Sequence, residues 1–320
     1  MHKSLSVVIP TFGREEVLVQ TLRDLFECDP MPLEILLVDQ TPKHETQTDL
    51  FLEHAVSQGK ISVIQQSPSI THAMNTGLTH SRGDIVLFLD DDVLPVFNIV
   101  LEHQRIYDMS DVGCVVGQVL QPGECAINLP HATRTGLWSD LEFRFCSSEV
   151  RDIHNAIGCN MSVDRHFAIQ IGGFDENFAK VAYRFETEFA RRVYRHGKCV
   201  RFAPSASLKH LAAQRGGTRS FGKHLKTASP DHSVGDYYFA MLEGTPKEAM
   251  SYCFQRFFRS VRTKFHLTHP WYIPPKLIGE LRGFLWAMQL RRRGQRLLSS
   301  PSTAKTYPPM MESTSESSHR

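Results

Sequence analysis

The first half of the chain alternates short apolar runs with longer stretches in which apolar residues recur every three or four positions. Runs rich in Val, Ile and Leu predict buried strands, and a 3.6-residue recurrence predicts amphipathic helices. Strands are predicted at 5–10, 33–38, 61–65 and 85–89. Helices are predicted between them, at 15–26, 45–57 and 70–79. Because strands that alternate with helices are joined by right-handed crossovers, the sequence predicts an α/β fold with a Rossmann-like, mostly parallel central sheet flanked by helices.

After residue 95 the pattern is less regular. Helices are predicted at 96–109, 164–171 and 185–194, and strands at 112–119, in the later part of 155–163 and at 199–203. The stretch 211–236 is rich in Gly, Ser and Lys, which is typical of a mobile segment. We therefore expect a main domain at 1–215 with halves at 1–95 and 96–215, a mobile linker or lid at 216–250, a basic amphipathic helical extension at 251–298 and a disordered tail at 299–320.

The charge of the chain is nearly balanced but unevenly distributed. The 320 residues carry a formal net charge of +2, which gives no reason to expect a nucleic-acid partner. Between residues 251 and 298, ten Lys and Arg side chains stand against one acidic residue, Glu280. A basic C-terminal segment on an otherwise acidic chain predicts a surface partner at that end.

An apolar stripe also runs along this C-terminal segment and is followed by Arg291, Arg292 and Arg293. The residues of the stripe are Leu277, Leu281, Phe284, Leu285 and Met288. Apolar faces bordered by cations are typical of helices that lie on an anionic membrane surface. Packing of the same stripe onto the main domain, or against a second copy, explains the pattern equally well.

Cysteine usage and the N-terminal sequence predict the compartment. Seven cysteines are scattered without a Cys-x-x-Cys pair, so we expect neither a disulfide framework nor a zinc site. The chain begins with a predicted strand rather than a secretory leader, and it has no run of about 18 uncharged apolar residues. We therefore expect a cytoplasmic protein, with its basic segment at the inner face of the cell membrane.

The strand at 85–89 is followed at once by Asp90, Asp91 and Asp92. Open α/β sheets bind their ligands at the carboxyl ends of the strands. Adjacent carboxylates repel and raise each other's pKa, so such a cluster favours a bound cation, and Mg²⁺ or Mn²⁺ prefers oxygen ligands. The alternative is a solvated loop in which Asp92 caps the next helix.

Four motifs in this order resemble those of family 2 glycosyltransferases with the GT-A fold. They are VVIPTFGR at 7–14, LLVDQT at 36–41, the acidic strand end, and IGGFDENF at 171–178. The resemblance covers roughly residues 4–215. It implies a GT-A domain that binds a nucleotide sugar in its first half and an acceptor in its second half.

The resemblance assigns several residues to the nucleotide. Pro10 and Thr11 end the first strand, where the family holds the base. Asp39 closes the second strand, where a family acid accepts hydrogen bonds from the base or the ribose. Asn75 matches a family Asn that faces the nucleotide, although Met74 stands where a basic residue is common. Thr11 could instead be an N-cap for the first helix, Asp39 could cap a turn with Thr41, and Asn75 could lie on the helix surface.

The resemblance also implies a metal site. Asp90 and Asp91 fall where the family contacts the nucleotide sugar, and Asp92 falls where it holds the metal on the diphosphate. Asp90 touches either the ribose or the metal in the family. His210 lies where many members have a metal ligand or a diphosphate contact. Arg215 and Arg219, in a Gly-rich stretch, could close over the diphosphate as a lid or could simply be solvated.

The family's general base lies in an acidic pair at the start of a helix after the GGFDE turn. Alignment of this helix puts Glu186 at the base position and Glu188 at the second acid, while Phe185 replaces a usual Glu. Asp175 and Glu176 are expected on the acceptor side. The alternative is that Glu186 and Glu188 only complement the helix N-terminus or pair with nearby arginines.

Together these features predict a metal-dependent, inverting glycosyltransferase of the hexosyltransferase type. Its donor is expected to be a UDP-sugar, its cofactor Mn²⁺ or Mg²⁺, and its acceptor a saccharide or lipid-linked intermediate in polysaccharide or glycolipid biosynthesis. Two other functions remain open: a non-catalytic scaffold at the membrane surface, and a sugar nucleotidylyltransferase. The latter usually has a Gly-rich basic loop after its first strand, which TFGREE at 11–16 matches poorly.

Overall fold

The computed structural model describes residues 2–128 and 134–299, with backbone alone at residues 218 and 219. Its strands are β1 Leu5–Thr11, β2 Glu34–Asp39, β3 Ser62–Gln65, β4 Ile85–Leu89, β5 Val93–Pro95, β6 Val112–Leu120, β7 Arg151–Asp152, β8 Asn160–Asp164 and β9 Cys199–His210. Its α-helices are α1 Glu16–Phe26, α2 Thr46–Ser57, α3 Ile70–His80, α4 Ile99–Ile106, α5 Arg165–Gln170, α6 Phe185–Arg195, α7 Val234–Glu243, α8 Pro246–Arg259, α9 Lys264–Thr268 and α10 Ile273–Arg293.

All of these strands belong to one sheet in the order β3-β2-β1-β4-β8-β6-β9-β5, with β7 paired to β9. The first four strands in this order are mutually parallel. Strand β8 is antiparallel to both of its neighbours, whereas β6 and β9 are parallel. The predicted α/β fold with a central sheet and flanking helices is therefore confirmed, with a parallel first half and a mixed second half.

The parallel strands are buried on both faces, which explains their nearly continuous apolar sequences. Val8 and Phe88 pack into the core on one side of the sheet, and Val7 and Leu87 pack into the core on the other. Helix α3 lies so close to β1 that a Cβ on Gly77 would stand 2.3 Å from Val8 Cγ1. This close packing places the N-terminus of α3 beside the carboxyl end of β1.

The parallel register brings the strand ends to one edge of the sheet. Thr11 is paired with Asp39, and Asp39 with Gln65, in the last positions of their strands. Strand β4 lies on the other side of β1 and ends in the run of three aspartates at 90–92. Motifs far apart in sequence thus meet at this carboxyl edge.

Strand β9 continues well past the predicted strand at 199–203, so that prediction was too short. Its pairing with β6 shifts register between Ala203 and Ser207, which accommodates Pro204 in a bulge where no ladder N–H is required. The strand therefore runs on to His210, which pairs with Val93 just after the acidic run. The bulge thereby brings His210 to the carboxyl edge.

The expectation of a mobile linker across 216–250 is wrong for its second half. Helix α7 is a core helix, and Tyr237, Tyr238, Phe239 and Ala240 are at most 1% exposed. It is apolar on most sides because the sheet domain, α8 and α10 all cover it. Helix α8 then starts at a capping box in which Thr245 and Glu248 satisfy each other's backbone N–H groups.

The C-terminal helix α10 packs on α7 through its small residues rather than its large ones. Gly279, Gly283 and Ala287 are buried, and a Cβ on Gly283 would stand 2.1 Å from Ser233 Oγ. Leu281 and Leu285 of the predicted apolar stripe are about half exposed instead. The extension thus packs on the core and also leaves an apolar face uncovered. Residues 300–320 of the expected tail lie outside the described residues.

Across the described ranges, none of the helices has the length and apolar character that crossing a membrane requires.

Candidate active site

A cleft of about 440 Å³ opens at the carboxyl edge of the sheet. Its walls come from the ends of β1, β2 and β4, the N-terminus of α3, and the loop that follows β9. A second pocket of about 240 Å³ adjoins it and shares Pro10, Ile70, Asp90 and His210 with it. The two pockets form one continuous site whose shared wall is the acidic strand end.

Asp90, Asp92 and His210 meet in this shared wall. Their nearest ligand atoms all lie within 4.8 Å of one another. His210 Nε2 is 3.3 Å from Asp92 Oδ1 and 3.6 Å from Asp90 Oδ2. Asp90 raises the pKa of His210 above its ordinary value, and Asp92 adds to this effect. The same negative field attracts a divalent cation, and two carboxylates with one imidazole suit Mn²⁺ or Mg²⁺.

Asp91 is buried, and its side chain does not join the cluster that Asp90 and Asp92 form with His210. Thr11 donates its hydroxyl to Asp91 Oδ2 at 2.6 Å, and Arg14 Nε lies 3.1 Å from Asp91 Oδ1. Burial raises the pKa of the Asp91 carboxyl to about 7, although Arg14 opposes this shift. Thr11 and Asp91, predicted as nucleotide contacts, mainly contact each other, while Pro10 forms part of the cleft wall.

Arg14 is a site residue that the sequence analysis did not identify, although it ends the VVIPTFGR motif. Its guanidinium contacts Asp91, lies 3.2 Å from Asp92 Oδ2, and donates to the backbone carbonyl of Arg215. Arg14 is only 8% exposed. It therefore joins the acidic strand end to the loop that follows β9.

That loop, residues 211–217, is held against the strand ends by backbone contacts. The Ala213 N–H donates to Asp92 Oδ2 at 2.8 Å, and the Gly217 N–H donates to the Phe12 carbonyl at 2.7 Å. Gly216 has a φ of +77°, and a Cβ there would stand 2.3 Å from the Gly13 carbonyl oxygen. This approach requires glycine at residue 216 and puts the loop over the cleft.

Replacing Arg14 with Gln is expected to weaken divalent-ion binding about 10–100-fold, the range typical for a partner that orients a metal ligand. The loop at 211–217 should also become more sensitive to limited proteolysis, because its link to Asp91 and Asp92 is lost. Calorimetric titration with the metal measures the first effect, and peptide mapping after limited proteolysis measures the second. Arg23→Gln, an exposed change on α1, is the control, and equal behaviour of the two variants would contradict this role for Arg14.

Of the two predicted lid arginines, Arg215 alone has a side chain within the described part of the chain. The Arg215 side chain is exposed and is not part of the cleft wall, to which the loop contributes Gly217, Ser220 and Phe221. The side chain of Arg219 lies outside the described residues. Lys180, eight residues after the start of the GGFDE turn, lines the cleft and sits 5.9 Å from the centre of the Phe221 ring. Lys180 is therefore a cation of the cleft wall that the sequence analysis did not identify.

Glu186 lines the second pocket, at the start of α6. Its side chain is partly exposed, and the backbone N–H groups of Glu186 and Gly158 donate to its carboxylate. Burial raises the pKa of the Glu186 carboxyl to about 7, and nearby Asp90 adds to the increase. Phe185 is buried beside Phe174, with ring centres 5.8 Å apart, so the apolar residue in the family's usual Glu position is part of the core.

Asp39 lies at the carboxyl edge but its carboxylate is enclosed by protein. It is fully buried, accepts from the Thr41 N–H at 2.8 Å and from Gln65 Nε2 at 2.5 Å, and lies 3.0 Å from His44 Nε2. The proposed contact with base or ribose does not fit this position. The neighbouring Gln40 lines the cleft instead.

Asn75 also turns away from the cleft. Its side-chain amide donates to the Phe174 carbonyl at 2.9 Å, and its oxygen accepts from the Phe174 N–H at 2.8 Å. Asn75 therefore fixes the GGFDE turn against α3, and the expected contact with the nucleotide does not fit. Met74, its neighbour, is the residue of this pair that lines the second pocket.

Residues 294–298, here called the C-terminal strap, cover the acids that were expected on the acceptor side. The Arg296 N–H donates to Asp175 Oδ1 at 2.9 Å, and Arg296 also lies 3.1 Å from Glu176 Oε2. Gln295 donates to Glu188, which is fully buried and paired with Arg192 at 2.7 Å. Asp175, Glu176 and Glu188 thus hold the fold together, and an acceptor role does not fit their positions.

The family and fold follow from comparison with known proteins. The sequence profile of glycosyl transferase family 2 matches residues 6–172, which is more than half of the chain. The chain belongs to this family. A probable glycosyltransferase of Bacillus subtilis, YdaM, is 26% identical over 219 residues, which are 63% of this chain and 49% of YdaM. A second B. subtilis protein, the uncharacterized glycosyltransferase YfnE, is 28% identical over 35% of this chain and 29% of its own length. The family 2 chain thus spans half or less of these curated relatives.

Solved structures share the GT-A fold of this family 2 chain at low sequence identity. S. aureus TarS 1–349 in complex with UDP-GlcNAc has a TM-score of 0.59 at 16% identity, covering 89% of this chain and 81% of that one. GalNAc-T7 with UDP, GalNAc and Mn²⁺ has a TM-score of 0.54 at 14% identity, covering 84% and 58%. The mannosyltransferase PcManGT of Pyrobaculum calidifontis, in complex with GDP-Man and Mn²⁺, has a TM-score of 0.52 at 17% identity, covering 92% and 80%.

Proposed function

We propose that this family 2 protein is a metal-dependent, inverting glycosyltransferase that moves a sugar from a nucleoside-diphosphate sugar to an acceptor hydroxyl. One observation carries the proposal. Glu186, whose carboxyl has a pKa raised to about 7, lies in a pocket that shares Asp90 and His210 with the cleft at the strand ends. A base and a candidate divalent-ion site therefore meet where the two pockets join.

The cleft supports donor binding through its own residues. Lys180, Gly217 and Ser220 line the cleft and are proposed to contact the diphosphate, and Gln40, Pro68 and Ser69 line the part beside β2 where a base would lie. Asp90, Asp92 and His210 would hold the ion, which when bound supplies Lewis-acid stabilisation of the leaving diphosphate. This arrangement leaves the second pocket for the sugar and the acceptor hydroxyl.

Glu186 is proposed to take the proton from the acceptor hydroxyl as that oxygen attacks the anomeric carbon. The bond from that carbon to the diphosphate oxygen breaks in the same displacement, so the configuration inverts. A base works best when its pKa lies near the working pH, and the enclosed carboxyl of Glu186 meets this condition. The Gly158 N–H orients the carboxylate toward the pocket.

For the donor we propose a UDP-sugar, and for the acceptor a saccharide or lipid-linked intermediate of polysaccharide or glycolipid biosynthesis in the cytoplasm. UDP or UDP-GlcNAc occupies two of the similar structures, while PcManGT binds GDP-Man. Among the residues that line the second pocket, Glu186, Asp90 and His210 are the titratable ones besides Cys159. This lining suits a neutral sugar better than an anionic one, because the two carboxylates would repel a sugar carboxylate.

The proposal is tested by screening nucleoside diphosphates for thermal stabilisation with Mn²⁺, with Mg²⁺ and with chelator, followed by donor-turnover assays. A ligand at 100 times its Kd stabilises the folded state by ~2.7 kcal/mol, which raises Tm by a few degrees for a chain of this size. We expect UDP to stabilise only when metal is present, and UDP-sugars to be consumed. Metal-independent stabilisation would contradict the proposed ion site. Nucleotide binding without turnover of any donor would favour the non-catalytic scaffold.

A further inference from the structure

Helices α8 and α10 expose large apolar side chains on the outside of the molecule. Met250 and Phe254 of α8 are 71% and 65% exposed, and Ile278, Leu281 and Leu285 of α10 are 52%, 51% and 46% exposed. The three α10 residues recur at helical spacing and therefore share one face. Exposed apolar residues in single positions are ordinary, but a contiguous set indicates a contact surface.

Three of these residues, Met250, Phe254 and Leu281, line a groove between the two helices. The groove has a volume of about 410 Å³, and Met250 and Phe254 from α8 face Leu281 and Phe284 from α10 across it. The rings of Phe254 and Phe258 stand 4.7 Å apart at its margin. We name this groove and its exposed rims the α8–α10 face.

The exposure of this face follows from how α10 packs. Its buried residues are Gly279, Gly283, Ala287 and Leu290, together with Lys276 and Glu280, which pair at 2.7 Å. Because the buried side is occupied mainly by glycines, alanine and the Lys276–Glu280 pair, the large apolar residues Ile278, Leu281 and Leu285 lie on the outer side of the helix. Much of the apolar stripe therefore stays exposed in the folded chain instead of packing in the core.

Within residues 251–298, the exposed charges near the α8–α10 face are all positive. Glu280 is the one acid in residues 251–298, and it is fully buried. Of the ten cations in that segment, Arg256 and Lys276 lie inside with Glu280. Seven of the others are exposed: Arg259 on α8, Arg262 and Lys264 between the two helices, and Arg282, Arg291, Arg292 and Arg293 on α10. An apolar centre flanked by exposed cations matches the depth profile of an anionic bilayer, with acyl chains inside and phosphates outside.

We infer that the α8–α10 face docks on an anionic lipid bilayer, with Phe254 and Leu281 entering the boundary between headgroups and acyl chains. A second copy of this chain fits poorly, because a two-fold contact would bring the same cationic border against itself. Trp271, 63% exposed just before α10, adds an aromatic side chain of the kind enriched at membrane interfaces. The inference concerns where the molecule sits, and it does not depend on the proposed catalytic function.

The test is co-sedimentation of the full chain with vesicles of phosphatidylcholine plus phosphatidylserine, compared with phosphatidylcholine alone. We expect binding to the anionic vesicles that weakens with added salt. The variant Phe254→Glu/Leu281→Glu should lose binding, whereas Leu50→Glu/Val56→Glu, which places the same charges on exposed positions of α2, should retain it. Replacing Arg291, Arg292 and Arg293 with Gln should weaken binding roughly a hundredfold, at about fivefold for each cation near the surface.

Each variant is first checked for an unchanged Tm and circular dichroism spectrum, so that loss of binding is not loss of folding. Equal losses in the α8–α10 and α2 variants would overturn the inference, because the effect would then be one of charge alone. The inference would also fail if wild-type protein ignored anionic vesicles. Failure would be equally clear if sedimentation velocity showed a dimer that Phe254→Glu/Leu281→Glu converts to monomer, since the face would then bind a second copy.

Discussion

Replacing Glu186 with Gln is expected to lower the rate of sugar transfer by ~10²–10⁴ while leaving nucleotide binding unchanged. The amide keeps the shape of the side chain and its place beside Gly158, but it cannot take a proton from the acceptor. Glu186 lies in the second pocket, whereas the nucleotide would occupy the larger cleft. The effect should therefore appear in kcat, with little change in the Kd for nucleoside diphosphate measured by calorimetry.

The pH dependence of the rate provides an independent measurement on the same residue. Only the deprotonated carboxylate can accept a proton, so the wild-type rate should rise as the pH increases through about 7 and then level off. The Gln variant should lose this rise. Glu16→Gln, an exposed change in the first turn of α1, is the matched control and should behave as wild type. A Gln variant that retained both rate and pH profile would rule out Glu186 as the base.

Replacing Asp92 with Asn should remove most metal-dependent activity. Partners that only orient a metal ligand typically contribute 10–100-fold in affinity, so a direct ligand should contribute at least about a hundredfold. Asp92 is 1% exposed and also accepts from the Ala213 N–H, which Asn can still satisfy through its oxygen. We therefore expect a folded variant whose activity recovers in part at high Mn²⁺, as measured by titrating the metal in the donor-turnover assay.

Asp108→Asn provides the control for the Asp92 experiment, because Asp108 is exposed and contacts His2, which lies before the start of β1 and so at the opposite end of that strand from the cleft. Its metal titration should match that of wild type. If Asp92→Asn bound Mn²⁺ as tightly as wild type, the ion would have to lie elsewhere. The cluster of Asp90, Asp92 and His210 would then be a set of structural contacts.

The first half of the fold could be predicted because each strand carries its own signal. The run at 85–89 matches β4 residue for residue, and the ends of β1, β2 and α3 differ from their predictions by one residue. Strands buried on both faces must be apolar throughout, and the carboxyl ends of parallel strands must meet at one edge. The position of the acidic cluster followed from these two constraints alone.

The second half depends on contacts that local sequence does not encode. Pro204 indicates the end of a strand, yet β9 continues because a bulge accommodates the missing N–H. Helix α7 shows no amphipathic period because neighbours cover it on most sides, so its sequence could not be told apart from the adjoining loop. Both features become visible only when the surrounding elements are in place.

Side-chain direction was the hardest feature to predict. Asn75 lies on the helix that lines the cleft, but Phe174, 99 residues away, supplies both of its backbone partners. Asp39 ends the right strand, but His44 and Gln65 enclose its carboxylate. The sequence period predicts where a residue lies along a helix or strand. It does not predict which distant residue will form hydrogen bonds with its polar side chain, because that depends on the tertiary structure.

The C-terminal strap has a consequence for how the molecule is made. The GGFDE turn begins at Gly172, whose carbonyl accepts a hydrogen bond from the Leu298 N–H, and the Glu176 N–H donates to the Arg296 carbonyl. Both bonds can form only after α10, which precedes the strap, is in position. During translation these two hydrogen bonds cannot form until more than a hundred residues after the turn have left the ribosome. In a nascent chain that stalls within that interval, Asp175, Glu176 and Glu188 would lack their contacts with the strap. This difference distinguishes an incomplete chain from a complete one.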